Sequence, residues 1–251
     1  MQEPRFRLIA GLQVLAAFAF CGAWAWLALR GFGSAPTHPL DLATFATPFG
    51  GLSLLTMAVA VGVVARSLLA LRDPVGPGIG AARVKLMISA ALAMGAVWPF
   101  LLPHSLPGTL LAVGVQVLLA LRALDAAHLA MPCARLSTLT QGELRDRMLR
   151  SAPVALFAGW SIAVAGATVA VVGHEAFAIP SSVALGLGLI VIAFLALAAQ
   201  LSARLTPELS LAVIWALIGT AANQIGTDLP ATMIATAAVS LLAVGIVRIT
   251  S

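Results

Sequence analysis

The sequence predicts an all-α fold: a polytopic transmembrane helical bundle of about eight spans with both termini cytoplasmic. Three observations predict it. First, 61% of the residues are hydrophobic and 9% are charged, and the mean hydropathy is +1.05. A chain with so little polar surface cannot cover itself as a water-soluble globule. Second, the apolar residues gather into segments near 8–29, 48–71, 84–102, 107–124, 152–173, 182–203, 208–222 and 229–249. Most approach the roughly 20 residues that cross a hydrocarbon core at about 1.5 Å per residue. Third, threading these segments alternately puts all of the fourteen Lys and Arg residues except Arg30 on or near one side. These are Arg5, Arg7, Arg66, Arg72, Arg83, Lys85, Arg122, Arg135, Arg145, Arg147, Arg150, Arg204 and Arg248. Basic residues mark the cytoplasmic side, so the even span count places both termini there.

The first segment follows Arg5 and Arg7 and imitates a signal peptide, but its roughly twenty apolar residues exceed the usual ~7–15 of such a peptide. It reads as an uncleaved first span. The outside loop that follows, Arg30 to Thr47, carries Gly31, Gly33, Pro36 and Pro39 ahead of Pro48. These residues favour turns over helix, and the loop is expected to fold over the outer mouth of the bundle as a lid. After the second span, Asp73 to Gly80 (DPVGPGIG) contains a Gly-x-Gly spacing. No strand precedes it and no βαβ unit can form around it, so it reads as a tight turn and not a dinucleotide fingerprint.

Between the fourth and fifth spans runs the only sizeable polar segment, Asp125 to Arg150. Thr140 to Glu143 has capping-box spacing and starts a short surface helix whose Arg145, Arg147 and Arg150 face headgroups before the chain turns in at Pro153. The segment is either a solvated connector or a regulatory docking helix. The fifth span carries Gly159, Ala163, Gly166 and Ala167, and the sixth Gly186 and Gly188. Small residues three or four apart let membrane helices approach closely. The seventh segment is short and ends in Asn223 and Gln224; were it re-entrant, Arg248 would lie outside.

Composition also excludes function classes. The isoelectric point near 11.0 arises from basic residues scattered at helix ends, where they orient the chain, so no nucleic-acid partner is expected. Cys21 lies within a span and Cys133 in a cytoplasmic loop, which implies neither a disulfide nor a zinc site. No Asp, Glu, Lys or Arg falls near the centre of a span, which argues against an ion-coupled pump. With no H-E-x-x-H pair, G-x-S-x-G elbow or Walker loop, the chain does not read as an enzyme and no catalytic residue is assigned. His38, Asp41, His104, His174, Glu175 and Asp228 share the outer face, a set that could ligate a metal or a tetrapyrrole iron. Loops are where polar residues belong, and no metal site is assigned.

Tyrosine is absent, and the tryptophans are Trp24, Trp26, Trp98, Trp160 and Trp215. Trp24, Trp26 and Trp98 lie near outer helix ends, where an interfacial belt accounts for them. Trp160 and Trp215 lie deeper, as core packing or as the wall of a pocket for a planar ligand. The stretches Ser89 to Pro99 (SAALAMGAVWP), Ala152 to Thr168 (APVALFAGWSIAVAGAT) and Ala212 to Gly219 (AVIWALIG) resemble the longer branch of the tryptophan-rich sensory protein family (TspO/MBR, the peripheral benzodiazepine receptor relatives). Thr47 to Gly50 is similar to the entry to that family's second span, without its Trp and Tyr. Trp98, Pro153, Trp160 and Ala163 or Val164 match the pattern, whereas Gly95 and Thr168 stand where the family has Asn.

The resemblance implies a TspO-like five-helix bundle over 8–173 and a three-helix extension over 174–251, within one integral membrane domain of 1–251. It implies a membrane-embedded binding protein for a planar hydrophobic ligand, a tetrapyrrole such as porphyrin or haem or a sterol-like molecule, acting as sensor, regulator or carrier in a bacterial inner membrane. The ligand is expected between spans two, three and five, with Trp98, Phe100, Phe157 and Trp160 as stacking surface and His38 or His104 as polar or axial contacts. The alternative is a small permease, or an accessory scaffold subunit that presents its small-residue faces to a membrane-complex partner or to a second copy of itself.

Overall fold

The computed structural model describes residues 3–31, 51–72, 80–129, 140–141, 150–202, 207–224 and 228–250. They form eight helices: α1 (Glu3–Gly31), α2 (Gly51–Arg72), α3 (Gly80–Leu101), α4 (Leu106–Leu129), α5 (Ala152–Phe177), α6 (Ser181–Ser202), α7 (Pro207–Gln224) and α8 (Leu229–Thr250). The expected lid and most of the polar connector, with its capping box, lie outside the described residues. So does nearly all of the Asp73–Gly80 turn.

Seven helices are long and apolar enough to cross a membrane. α7 is the short one: its 18 residues span about 27 Å, just under the ~30 Å of a hydrocarbon core. Leu15, Phe18, Val61, Leu111, Phe194, Leu201, Met233 and Val244 stand exposed around the bundle. Water would not tolerate so continuous an apolar surface, and lipid does. The chain is an integral membrane protein.

α5 organises the bundle. It packs against α2, α4, α6 and α7, and the other helices arrange themselves around it in pairs: α1 on α2 and α3, α3 on α4, α7 on α8, α6 on α8. Surrounded in this way, α5 is buried on every side between Pro153 and Val172, with only Leu156 and Val169 partly reaching the surface. Its small residues are what permit this. A Cβ added at Gly159 would lie 2.5 Å from the Leu209 carbonyl oxygen, and one at Gly166 would lie 2.5 Å from that of Gly188 and collide with Ile192. The expected role of Gly159, Gly166 and Gly188 is therefore met by direct backbone approach to α7 and α6.

Helix ends follow from local chemistry. At the carboxy end of α5, Ala178 adopts the left-handed conformation (φ 52) and the Ile179 N–H donates to the Gly173 carbonyl at 3.3 Å, the six-to-one closure of a Schellman turn. α4 and α8 begin with one shared device. In Ser105-Leu-Pro-Gly-Thr109 the Ser105 hydroxyl accepts from the Gly108 N–H at 3.1 Å, and in Asp228-Leu-Pro-Ala-Thr232 the Asp228 carboxylate accepts from the Ala231 N–H at 3.0 Å. In both, the Thr hydroxyl returns to the capping residue's carbonyl at 2.9 Å. The capping side chain satisfies an otherwise orphaned donor of the first turn.

Gly166→Ala is expected to destabilise the bundle by roughly 1–3 kcal/mol through overpacking against backbone that cannot withdraw. Gly11→Ala and Gly22→Ala, where an added Cβ meets nothing within 4 Å, serve as controls in thermal unfolding of the purified protein and are expected to leave it unchanged or slightly stabilised.

Candidate functional site

The buried face of α1 follows helical spacing through Ala10, Gln13, Ala17, Phe20 and Trp24. Its last two members meet rings from two other helices. Phe20 packs edge-to-face on Phe157 (centroids 5.7 Å) and on Trp160 (5.2 Å). Trp24 packs edge-to-face on Trp160 (5.0 Å) and on Trp98 of α3 (5.5 Å). Phe157 and Trp160 stack on each other within α5 at 5.9 Å. Edge-to-face contacts place the positive rim of one ring on the negative face of the next, adding about 0.5–1.5 kcal/mol per pair beyond area burial. All five rings are withdrawn from the surface, Trp24 the most accessible of them at 8%.

Polar atoms frame the cluster. The Trp160 Nε1–H donates to Thr56 Oγ1 of α2 at 2.9 Å. Gln116 of α4 donates from Nε2 to Ser161 Oγ at 2.9 Å, and that hydroxyl donates onward to the Phe157 carbonyl at 2.8 Å. The chain fixes the amide orientation, because the Ser161 proton is already committed and the amide must donate. Three buried atoms at this site have no hydrogen-bond partner among the described residues: Trp24 Nε1, Trp98 Nε1 and Gln116 Oε1. The Gln116 oxygen lies close to the rings, since a Cβ added at Gly95 would stand 3.0 Å from Phe20 and 3.4 Å from that oxygen. The Phe20 ring thus leaves no free space for a side chain at Gly95. Thr168, which like Gly95 stands where the resembled family has Asn, is buried and spends its hydroxyl on the Val164 carbonyl of its own helix.

Among the described residues the site therefore comprises two donors and one acceptor without partners inside an aromatic wall. Among the candidate ligand contacts, Trp98, Phe157 and Trp160 share this cluster. Phe100 does not join them: 44% exposed, it faces away from the bundle and packs on Trp26 at 4.9 Å. His104 is exposed in the turn between α3 and α4, and His38 lies outside the described residues. The helices contributing rings are α1, α3 and α5, with Thr56 from α2, in place of the second, third and fifth alone.

Trp24 and Trp98 occupy the core and not an interfacial belt, while Trp215, expected deep, faces outward at 47% exposure. Of the other outer-face polar residues, His174 Nδ1 sits 2.8 Å from the Ile179 carbonyl oxygen, Asp228 caps α8, Glu175 is exposed, and Asp41 lies outside the described residues. Among the described residues no three His, Cys, Asp or Glu side chains converge.

Phe20, Trp24, Thr56 and Gln116 were missed as site residues. The available signal was the Gln13–Ala17–Phe20–Trp24 spacing, which runs along one face of α1. No family model, curated protein or solved structure matches the chain.

Thr56→Val strands the Trp160 indole N–H and is expected to cost about 1–3 kcal/mol in detergent unfolding, whereas adding Trp160→Phe to it should recover part of that loss because both partners are then gone. Equal losses in the single and double variants would count against the bond.

Proposed function

We propose that the chain is a membrane-embedded, non-enzymatic binding protein for a planar hydrophobic ligand with a polar edge, and that the aromatic cluster of α1, α3 and α5 is where it binds. The observation that carries this reading is the set of three polar atoms that have no partner among the described residues. Almost all buried polar groups find a partner, and each exception calls for one. Leaving an indole N–H or an amide oxygen dry and unpaired costs about 1–3 kcal/mol apiece. A ligand that presents acceptors to Trp24 and Trp98 and a donor to Gln116 removes that cost while its flat body stacks on the rings.

A tetrapyrrole meets these requirements. Its macrocycle is planar and apolar, its ring N–H groups donate, and its carboxylate side chains accept. A sterol-like molecule offers the apolar body with a single polar group and satisfies the site less fully. In this state the rings fill the space with one another, so binding requires Phe20 and Trp24 of α1 to part from Phe157 and Trp160 of α5. Such a response of helix packing to occupancy suits a sensor or a carrier in a bacterial inner membrane.

The test is titration of the detergent-purified protein with protoporphyrin IX and with haem, followed by tryptophan fluorescence. Saturable quenching at micromolar ligand is expected. Trp24→Phe and Trp98→Phe keep a ring in place and delete one donor, so each is expected to weaken binding about 5- to 10-fold. Trp26→Phe, outside the cluster, should not. Quenching of equal affinity in all four proteins would sink the assignment.

A further inference from the structure

Six buried polar side-chain atoms lack a hydrogen-bond partner among the described residues, and three of them frame the aromatic cluster. Two of the other three belong to one side chain, the amide of Gln13, which is without a partner at both its donor and its acceptor end. Gln13 is 0% exposed. Gln116 and Gln200, the amides of the fourth and sixth helices, are each tied to a hydroxyl on a neighbouring helix, at Ser161 and Ser210. The Gln13 amide has no such tie among the described residues.

Its place on α1 relates it to the aromatic site. Gln13, Ala17, Phe20 and Trp24 are all buried and follow one another at steps of four, three and four residues. That spacing confines them to a stripe roughly 60° wide. Phe20 and Trp24 turn the stripe toward Phe157 and Trp160, so Gln13 looks along the same side of the helix. About 16 Å of helix separates Gln13 from Trp24. The unpartnered Gln116 oxygen lies between the two ends, beside Phe20.

The orphaned functions thus have an order along the stripe: two indole donors at one end, an acceptor in the middle, and a donor with an acceptor at the other end. An amide presents its N–H and its carbonyl side by side, and a group that satisfies both must itself carry both. An undissociated carboxyl does so, its carbonyl oxygen accepting from Gln13 Nε2 while its O–H donates to Oε1. In that form it brings no charge among apolar helices. A second carboxyl can accept from Trp24 and Trp98 through its oxygens.

We infer that Gln13 is a specificity-determining contact at the far end of the aromatic site, and that the ligand is a planar molecule with carboxyl groups on two opposite edges. The inference rests on the reading of the aromatic cluster as a binding site. One edge of such a molecule meets Trp24 and Trp98, its apolar body stacks on the rings, and its opposite edge reaches Gln13. Protoporphyrin IX, with both carboxyl groups on one edge, leaves one end unmet. Coproporphyrin III carries a propionic acid on every pyrrole ring and meets both.

The test is tryptophan-fluorescence titration of the full chain in detergent with these two porphyrins. Wild-type protein is expected to bind coproporphyrin III about tenfold more tightly than protoporphyrin IX. Gln13→Leu should abolish that preference, and Trp26→Phe, outside the stripe, should keep it. Without ligand, Gln13→Leu should also unfold about 2–4 °C above wild type, because an apolar side chain of similar size replaces an amide that has no partner.

The absence of a preference in wild type, a preference that persists in Gln13→Leu, or a lower unfolding temperature for that variant overturns the inference while the aromatic site stands. If neither porphyrin binds saturably, the aromatic site itself fails and the inference falls with it. If Gln13→Leu does not accumulate in the membrane, the methyl esters of the two porphyrins decide with wild type alone. They lack the carboxyl proton and should bind with equal affinity; a tenfold preference between the esters overturns the inference.

Discussion

The close approach of backbones around α5 is the constraint on which the rest depends. A helix enclosed on all sides can keep neighbours at this range only where their backbones can touch, and Gly159 against Leu209 and Gly166 against Gly188 are such places. In lipid, where apolar burial between helices has little driving force, dispersion contacts of this kind hold a bundle together. The aromatic cluster is the complementary case. Where α5 faces α1, the gap is filled by large rings, so one helix carries its small residues toward α6 and α7 and its large ones toward α1.

Several hydroxyl groups within the spans donate to their own helix. Ser67, Ser89, Ser161, Thr168 and Thr220 each donate to the carbonyl four residues back. Amides and indoles are too long or too rigid for that return bond and must find a partner on another helix. Gln200 does so, reaching Ser210 on α7 at 2.5 Å and the Leu242 carbonyl on α8 at 3.4 Å. Among the described residues Gln116 does so with one end only, and Trp24, Trp98 and Gln13 do not. A hydroxyl that returns its proton to its own helix needs no outside acceptor, whereas an amide or indole without a partner does.

The fold was legible because membrane spans are specified by the length and hydropathy of single segments, and the helices met their expected boundaries to within a few residues, apart from the longer amino end of α1 and the longer carboxy end of α4. The site was legible only in part. A tryptophan two turns from the end of a span suits a headgroup belt as well as a core, and the sequence of α1 alone cannot separate the two for Trp24 and Trp26, which face opposite ways. Phe100 and Trp98 pose the same problem across two residues, about 200° around a helix. Nor does hydropathy report vertical register: it measures how long α5 is, and not that Phe20 and Trp24 of α1 meet Phe157 and Trp160 of α5.

The enclosure of α5 has a consequence for how the chain matures. During synthesis α5 emerges after α1–α4 and before α6 and α7, yet its neighbours come from both groups. Until α7 arrives, the face of α5 around Gly159 has only lipid to meet, and lipid chains fill the notch of a glycine poorly. The first four helices can assemble early, but the enclosure of α5 closes only when the last third of the polypeptide enters the membrane. Truncation after α6 therefore removes more than a peripheral layer: it leaves the central helix of the bundle as an edge.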